Sequence, residues 1–566
     1  MRILVFTFVL VWSILTARPI LLANGSSVTA IQGATLPYLE YEAESALTNG
    51  KILGPSRAFG EIAAESSGRK AVQLNAAGDY VRFKALQKAN SVVVRYVIPD
   101  APGGGGTQAT ISLYVNGVFR KKIPFTSKYA WTYGGEANSA ENNPARGGAH
   151  HFYDESRALV GDIPAGAEVT LKKDPGDDAK YYVIDLIDLE QVGTPGGIPA
   201  NFLSIINFGA ISNDGKDDAA AIQACIHAAR AQRKGVWIPA GVFECLSAPL
   251  EVSEVTVCGA GMWFSTLHGQ NARFNCDGNN CRFYNFAILG ETTTRDDSSP
   301  DSGFGGHAGT GSVLWNLWVE HAKCGYWVGG KGVPTNGLKI IGSRFRNLFA
   351  DGVNFCNGTS NSVVQQCHFR NTGDDAIASW SPAKEGGVNT NNAFRSNTIQ
   401  VPWRANCMAI YGGKDNKIEG NLCADTVEYP GIMVGAEFES HAMAGTTQIL
   451  RNTLIRCGGL MWGHQQGALK FSTNQADISG FEVKDIQILE PTFAGIEFQG
   501  THRILRANFS DIVISKAGTW GMEVQPGVGG SVSCQGVTVS EAKRGGLKTA
   551  FPSSLSWQKG EGNSGW

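Results

Sequence analysis

Asp351, Asp374 and Asp375 are the residues of this 566-residue chain whose type and spacing point most directly to chemistry. Asp351 opens the segment D-G-V-N-F and Asp375 opens D-A-I-A-S, so the two acids hold the same place in two copies of a small-apolar-x-apolar phrase. Its first apolar residue is in turn Val353, Ile377, Met408, Ile432, Leu469, Ile496 and Met522, and most steps are about 25 residues, as in a solenoid with one coil per repeat. Asp351 and Asp375 are then stacked on neighbouring coils, roughly 4.8 Å apart, with Asp374 beside them. Carboxylates that close cannot all ionise, so at least one pKa should rise. A raised acid next to an ionised carboxylate is what glycoside hydrolysis needs. The same position in the other coils holds Asn406, Pro430, Gly467, Ala494 and Trp520, so the acids are no part of the repeat. Two turn-forming aspartates after Gly373 are the plainer alternative; the third acid in register weighs against it.

The elements that position these acids are short and β-prone. Segments such as 338–341 and 362–364 are punctuated by Asn and Gly, which predicts coils built of strands. The expected fold is all-β: a right-handed parallel β-helix over 201–566, preceded by a second β domain. The order F-G-A, D-G, D-D, A-I-Q-A and I-P-A-G between 208 and 241 includes an amphipathic helix with Ile222, Cys225, Ile226 and Ala229 on one face. It resembles the entry of pectin-lyase-like β-helices, where such a helix covers the open end of the solenoid. Asp217 and Asp218 read there as helix caps.

From 38 to 192, alternating strands such as 91–97 and 109–115 are separated by Gly/Pro turns, the pattern of a β-sandwich. Residues 193–200, G-T-P-G-G-I-P-A, read as a linker. Residues 1–23 carry Arg2 and then an apolar run too short to span a membrane comfortably, which predicts a secretory leader, with a short lead over 24–37. An exported, extracellular protein is expected.

A net charge of −2 with 17% charged residues gives no basic surface for nucleic acid and no cationic amphipathic segment for a membrane. Abundant Gly and Trp suit a β-rich protein that faces carbohydrate, and a monomer is expected. The 12 cysteines all lie between Cys225 and Cys534. Disulfides, Cys276 with Cys281 among them, and stacking as small apolar residues inside the coils are both open. No C-x-x-C pair with metal spacing occurs.

The sandwich segment, with Y-E-A-E at 41–44, A-G-D-Y-V at 77–81 and I-D-L-I-D at 184–188, resembles carbohydrate-binding modules of families 6 and 35. The resemblance implies a structural calcium held by Glu42, Glu44 and Asp185. Tyr129, Trp131 and Tyr133 are either a sugar-stacking loop or packed aromatics.

The stretch A-D-G-V-N-F through A-I-A-S-W at 350–380, with P-W-R-A-N-C-M-A-I-Y-G-G at 402–413 and Y-P-G-I-M-V-G at 429–435, resembles glycoside hydrolase family 87. That implies an inverting endo-acting α-1,3-glucanase or mycodextranase on a parallel β-helix, with Asp351, Asp374 and Asp375 catalytic and no cofactor. By analogy with related inverting β-helix hydrolases, Asp374 is expected as general acid, with Asp351 and Asp375 activating water. Adjacent strand residues point to opposite faces, so both Asp374 and Asp375 reach one cleft only if the chain turns at Gly373. Trp380, Trp403, Arg404, Tyr411, Tyr429 and His464 are the candidate contacts to an α-glucan substrate, Trp403 and Arg404 foremost. A polygalacturonase, a polysaccharide lyase and a non-catalytic adhesin are the alternatives on the same fold.

Overall fold

The computed structural model describes residues 31–135, 142–330 and 334–566; the expected leader lies outside them. No helix among the described residues is long and apolar enough to cross a membrane.

Residues 38–190 form two antiparallel sheets packed face to face. One has six strands and is centred on Tyr182–Glu190, with Ala89–Val97 and Asp154–Ile163 to one side and Tyr38–Glu42 and Ala71–Leu74 to the other. The second has five strands, Leu47–Thr48 to Val118–Thr126. Val92, Val94, Ile111, Leu113, Val169, Ile184 and Ile187 fill the space between them, one residue in two along a strand as the pleat dictates, except where a register shift between Ile184 and Leu186 adds one.

The helix Ala219–Gln232 then closes the first coil, burying Ala219, Ile222, Cys225, Ile226 and Ala229. Asp217 accepts the N–H of Ala219, as a cap does, and Asp218 instead ties the N–H groups of Ile211 and Glu244 across the entry. Beyond it the chain winds as a parallel solenoid. One face is a 12-stranded sheet from Leu250–Val252 to Gly545–Thr549. In it Val353 pairs with Ile377, then Met408, Ile432, Leu469, Ile496 and Met522 in unbroken parallel register. These inward residues stack on their own kind, as do Phe345 on Phe369 and Phe471 on Phe498. At the corners, Asn397, Asn421 and Asn452 form a buried ladder in which the side chains accept the N–H groups of Cys367, Asn397 and Asn421 on the preceding coils, so the turn backbone is satisfied away from water. All twelve cysteines are buried as free thiols, filling the coils as small apolar residues.

The two domains meet through buried charge. Arg346 reaches Glu155 (2.8 Å), Asp188 (2.9 Å) and the Tyr38 hydroxyl (2.8 Å). One coil on, Arg370 reaches Glu155 (2.7 Å), Glu40 (2.6 Å) and Asp188 (3.1 Å). Arg344 pairs with Glu190 at 2.7 Å. This sandwich is fastened along the solenoid wall by ion pairs that are largely buried.

Candidate active site

Asp351 and Asp375 each precede a strand of the 12-stranded face, Val353–Phe355 and Ile377–Trp380. The ladder continues outward past these strands: Gly352 donates to the Asp375 carbonyl and Gly325 to that of Asp351, so the two acids are stacked. Asp374 joins them because the chain bends at 371–374, with Asn371 at a left-handed φ of 63°. One oxygen from each of the three carboxyls lies within 4.8 Å of the others. The bend requires Gly373: a Cβ there would stand 2.3 Å from the Trp403 ring and 2.4 Å from the Phe349 carbonyl oxygen.

The three acids have unlike surroundings. Asp351 (4% exposed) and Asp375 (3%) are buried, whereas the Asp374 side chain is 24% exposed. Burial, then the charges of Asp374 and Asp375, pushes Asp351 well above the usual carboxylate range, although Asn354 donates to it at 3.2 Å. Burial and Asp374 raise Asp375 to about 7, against three donors that favour its ionised form. These are the Asn406 N–H (3.1 Å), the Asn406 amide (2.7 Å) and the Tyr411 hydroxyl (3.0 Å). Burial would raise Asp374 too, but the guanidiniums of Arg295 at 2.5 Å and Arg404 at 3.3 Å outweigh it and hold this carboxyl below its ordinary value. The surroundings therefore favour the proton on the buried pair and the ionised form of the more exposed acid.

Of the expected sugar contacts, some face the cleft and some do not. Arg404 is at the acids. Tyr411 is buried and acts through its hydroxyl on Asp375 rather than by stacking. Trp380 is half-buried, its indole N–H on the Phe438 carbonyl and its ring edge-on to Trp327. Tyr429 meets Trp462 edge-on, and Trp462 is 61% exposed. His464 is exposed on the small hairpin Leu460–Met461/His464–Gln465. Trp403 is the correction: it is 1% exposed and stacks on His151 of the sandwich at 4.4 Å, so it supports the Gly373 bend and offers no face to a sugar. The sandwich reaches the same bend a second way, since Asn371 donates to the Tyr153 carbonyl and accepts from Arg95.

Arg95 also bears on the expected calcium ligands. Asp185 is fully buried and its carboxylate takes the Arg95 guanidinium at 2.5 Å and the Ser67 N–H. A cation there would sit against that guanidinium, so Asp185 does not fit the set implied for calcium. Glu42 accepts from the Ser67 hydroxyl at 2.6 Å. The second oxygens of Glu42 and Glu44 are buried without partners. Tyr129 stacks on His321 of the solenoid at 3.7 Å, and Trp131 packs edge-on to Phe152; with Tyr133 buried, that loop is packing.

Two family models match the chain in tandem: α-1,3-glucanase catalytic domain D1 over residues 35–192 and catalytic domain D2 over residues 215–545. The chain belongs to the α-1,3-glucanases of glycoside hydrolase family 87. The glucanase is accordingly a glycoside hydrolase, and its sandwich is part of the catalytic unit. Solved relatives superpose over nearly the whole chain. The Agl-KA catalytic domain is 28% identical with a TM-score of 0.87, covering 94% of this chain and 100% of its own. The catalytic unit of the thermostable family 87 α-1,3-glucanase from Streptomyces thermodiastaticus is 31% identical with a TM-score of 0.82, covering 94% and 97%. A third, at 26% identity, TM-score 0.85 and coverage of 94% and 100%, was solved in complex with nigerose. Among proteins of curated function, none matches.

Arg295, Asn406, Asn354 and His151 are the functional neighbours of the glucanase site that the repeat pattern passes over. Asn406 sits at the acid position of its own coil, a placement that in retrospect marks it. Arg295 lies in T-T-T-R-D-D-S-S-P-D, a polar insertion between strands, and its only signal is a lone cation in such a loop. Tyr411→Phe tests the support of Asp375. Hydrogen bonds to charged groups contribute about 1.5–3 kcal/mol, so the alkaline limb of kcat/KM, where the buried pair loses its proton, is expected to move up by about 1 to 2 in pH, with little change on the acidic side. A uniform drop across pH would show that the hydroxyl only packs.

Proposed function

We propose that this glucanase cuts internal α-1,3-glucosidic bonds of a neutral α-glucan, such as α-1,3-glucan or nigeran, with inversion at C1. Asp374 protonates the leaving oxygen, and Asp375, with Asp351, holds and deprotonates the attacking water. What supports this division is exposure. Asp374 is the acid that reaches the cleft, while Asp351 and Asp375 lie beneath it among hydrogen-bond donors. The reacting form has Asp374 protonated and Asp375 ionised. Water adds to C1 as the C1–O bond breaks; the Asp374 proton goes to the departing hydroxyl and a water proton goes to Asp375. Turnover thus returns the triad to its resting form, with the proton on the buried pair. No metal step enters this chemistry. The nigerose and tetrasaccharide complexes of relatives favour α-1,3-linked glucose as substrate, and the leader-like N-terminus favours an exported enzyme that meets it outside the cell.

Arg295 and Arg404 are the cations that a uronate-binding enzyme would need, yet both face Asp374. This disfavours the polygalacturonase alternative. Reducing-sugar release on insoluble α-1,3-glucan, nigeran, dextran and polygalacturonate decides it. Release from one or both of the first two is expected. Release from polygalacturonate alone would overturn the reading.

A further inference from the structure

Arg295 is delivered to the site by a built scaffold. It belongs to the segment between the strands Ala287–Leu289 and Ser302–His307, on a coil before that of Asp351, and it reaches forward across the cleft. Lys323 fastens this strap by donating to the carbonyls of Asp296 (3.0 Å), Asp297 (3.4 Å) and Ser299. Arg273 fastens its far end through Asp301 at 3.0 Å. The guanidinium is oriented by Asp297 at 2.8 Å, donates to the Gly373 carbonyl at 3.3 Å and meets Asp374 Oδ2 at 2.5 Å. Arg404 approaches the same oxygen from the other side, and Asp374 Oδ1 accepts the Asp375 N–H at 3.1 Å. Both oxygens of the proposed acid are therefore occupied by donors. In that state it has no proton to give, and its Oδ2 is held by two guanidiniums.

We infer that Arg295 is a positioning residue: it clamps the Asp374 carboxylate while the cleft is empty and is displaced by the bound sugar, which frees Asp374 to take the triad's proton. The inference rests on the reading of Asp374 as general acid. Displacement need not unfold the strap. Asp297 is 76% exposed, so the guanidinium can swing with it towards solvent while Lys323 and Arg273 hold the ends. The device keeps the acid charged until a substrate supplies hydroxyls in place of the guanidinium, and it couples binding to proton transfer within the triad.

The test is the pH profile of kcat/KM on a soluble α-1,3-linked gluco-oligosaccharide, for the wild type, Arg295→Gln and Arg295→Lys, with melting temperatures alongside. kcat/KM reports the free enzyme, in which the triad's one proton lies on the buried pair, so the acidic limb follows Asp374 and the alkaline limb follows the pair. A neighbouring opposite charge lowers a carboxyl by about 1 to 3 in pH, so Arg295→Gln is expected to move the acidic limb up by that amount. Arg295→Lys, which keeps a charge but not the planar fork, should move it less. If Arg295→Gln leaves too little rate to follow, the Lys variant carries the same sign. A uniform fall with both limbs unmoved and the melting temperature intact would overturn the inference and make Arg295 a contact only. Asp374→Asn separates the two levels: if it turns over at the wild-type rate, the acid assignment itself has failed; if it is inactive and the limbs stay put, only the role of Arg295 has.

Discussion

Asp374→Asn is expected to lower turnover on α-1,3-glucan by about 10²- to 10⁴-fold, while binding of a short α-1,3-oligosaccharide persists. The amide keeps the size of the carboxyl and its acceptor for the Asp375 N–H, so the bend at 371–374 survives. What it cannot do is protonate a leaving alkoxide. The loss should therefore be much smaller on α-glucosyl fluoride, whose leaving group departs without a proton. Asp375→Asn is expected to behave differently, failing on both substrates, since water must be activated in either case. If Asp374→Asn lost as much on the fluoride as on the polymer, Asp374 would not be the acid, and the role would pass to the buried pair.

The second large effect is on stability. Arg370→Ala is expected to cost about 3–5 kcal/mol, because it leaves the buried Glu155 and Asp188 to share the single guanidinium of Arg346. Glu155 and Asp188 have side chains 1% exposed at the same contact, and Glu40 keeps the Gln400 amide but loses its ion pair. A large share of this returns if the charge is removed from both sides, as in Arg370→Met with Glu155→Gln. The consequence extends to catalysis because the sandwich supports the acid-bearing bend through His151 on Trp403 and through Tyr153 and Arg95 on Asn371. Calorimetry should show the thermal transition of Arg370→Ala lowered, with activity lost at or before unfolding. An unchanged melting temperature would mean that the ion-pair wall does not fasten the domains.

The register of the solenoid was legible because one inward apolar position per coil repeats in the sequence, and the parallel ladder from Val353 to Met522 follows it residue for residue. The acid triad followed from the same register, since Asp351 and Asp375 break the pattern at one position. The side chains that tune it were not legible. Arg295 reaches Asp374 from another coil, by way of a loop with no period. Trp403 reads as an exposed aromatic in a polar stretch until His151, from a different domain, is seen to cover it. Asp185 reads as a cation ligand until Arg95, from the neighbouring strand, is found on it. In each case the partner is distant in sequence, and local pattern carries no information about which charge or ring arrives.

The spacing of the acids makes stereochemistry the most direct test. Acid and base of inverting enzymes stand about 6.5–9.5 Å apart and those of retaining enzymes about 5–5.5 Å, whereas here the nearest oxygens of all three carboxyls fall within 4.8 Å. Inversion then depends on water held by the buried pair rather than on a wide gap between two carboxyls. Proton NMR of the first sugar released from an α-1,3-linked oligosaccharide, recorded before mutarotation, reads this out. The account predicts the β-anomer as the first product. The α-anomer appearing first would contradict it and would make one of the three aspartates a nucleophile.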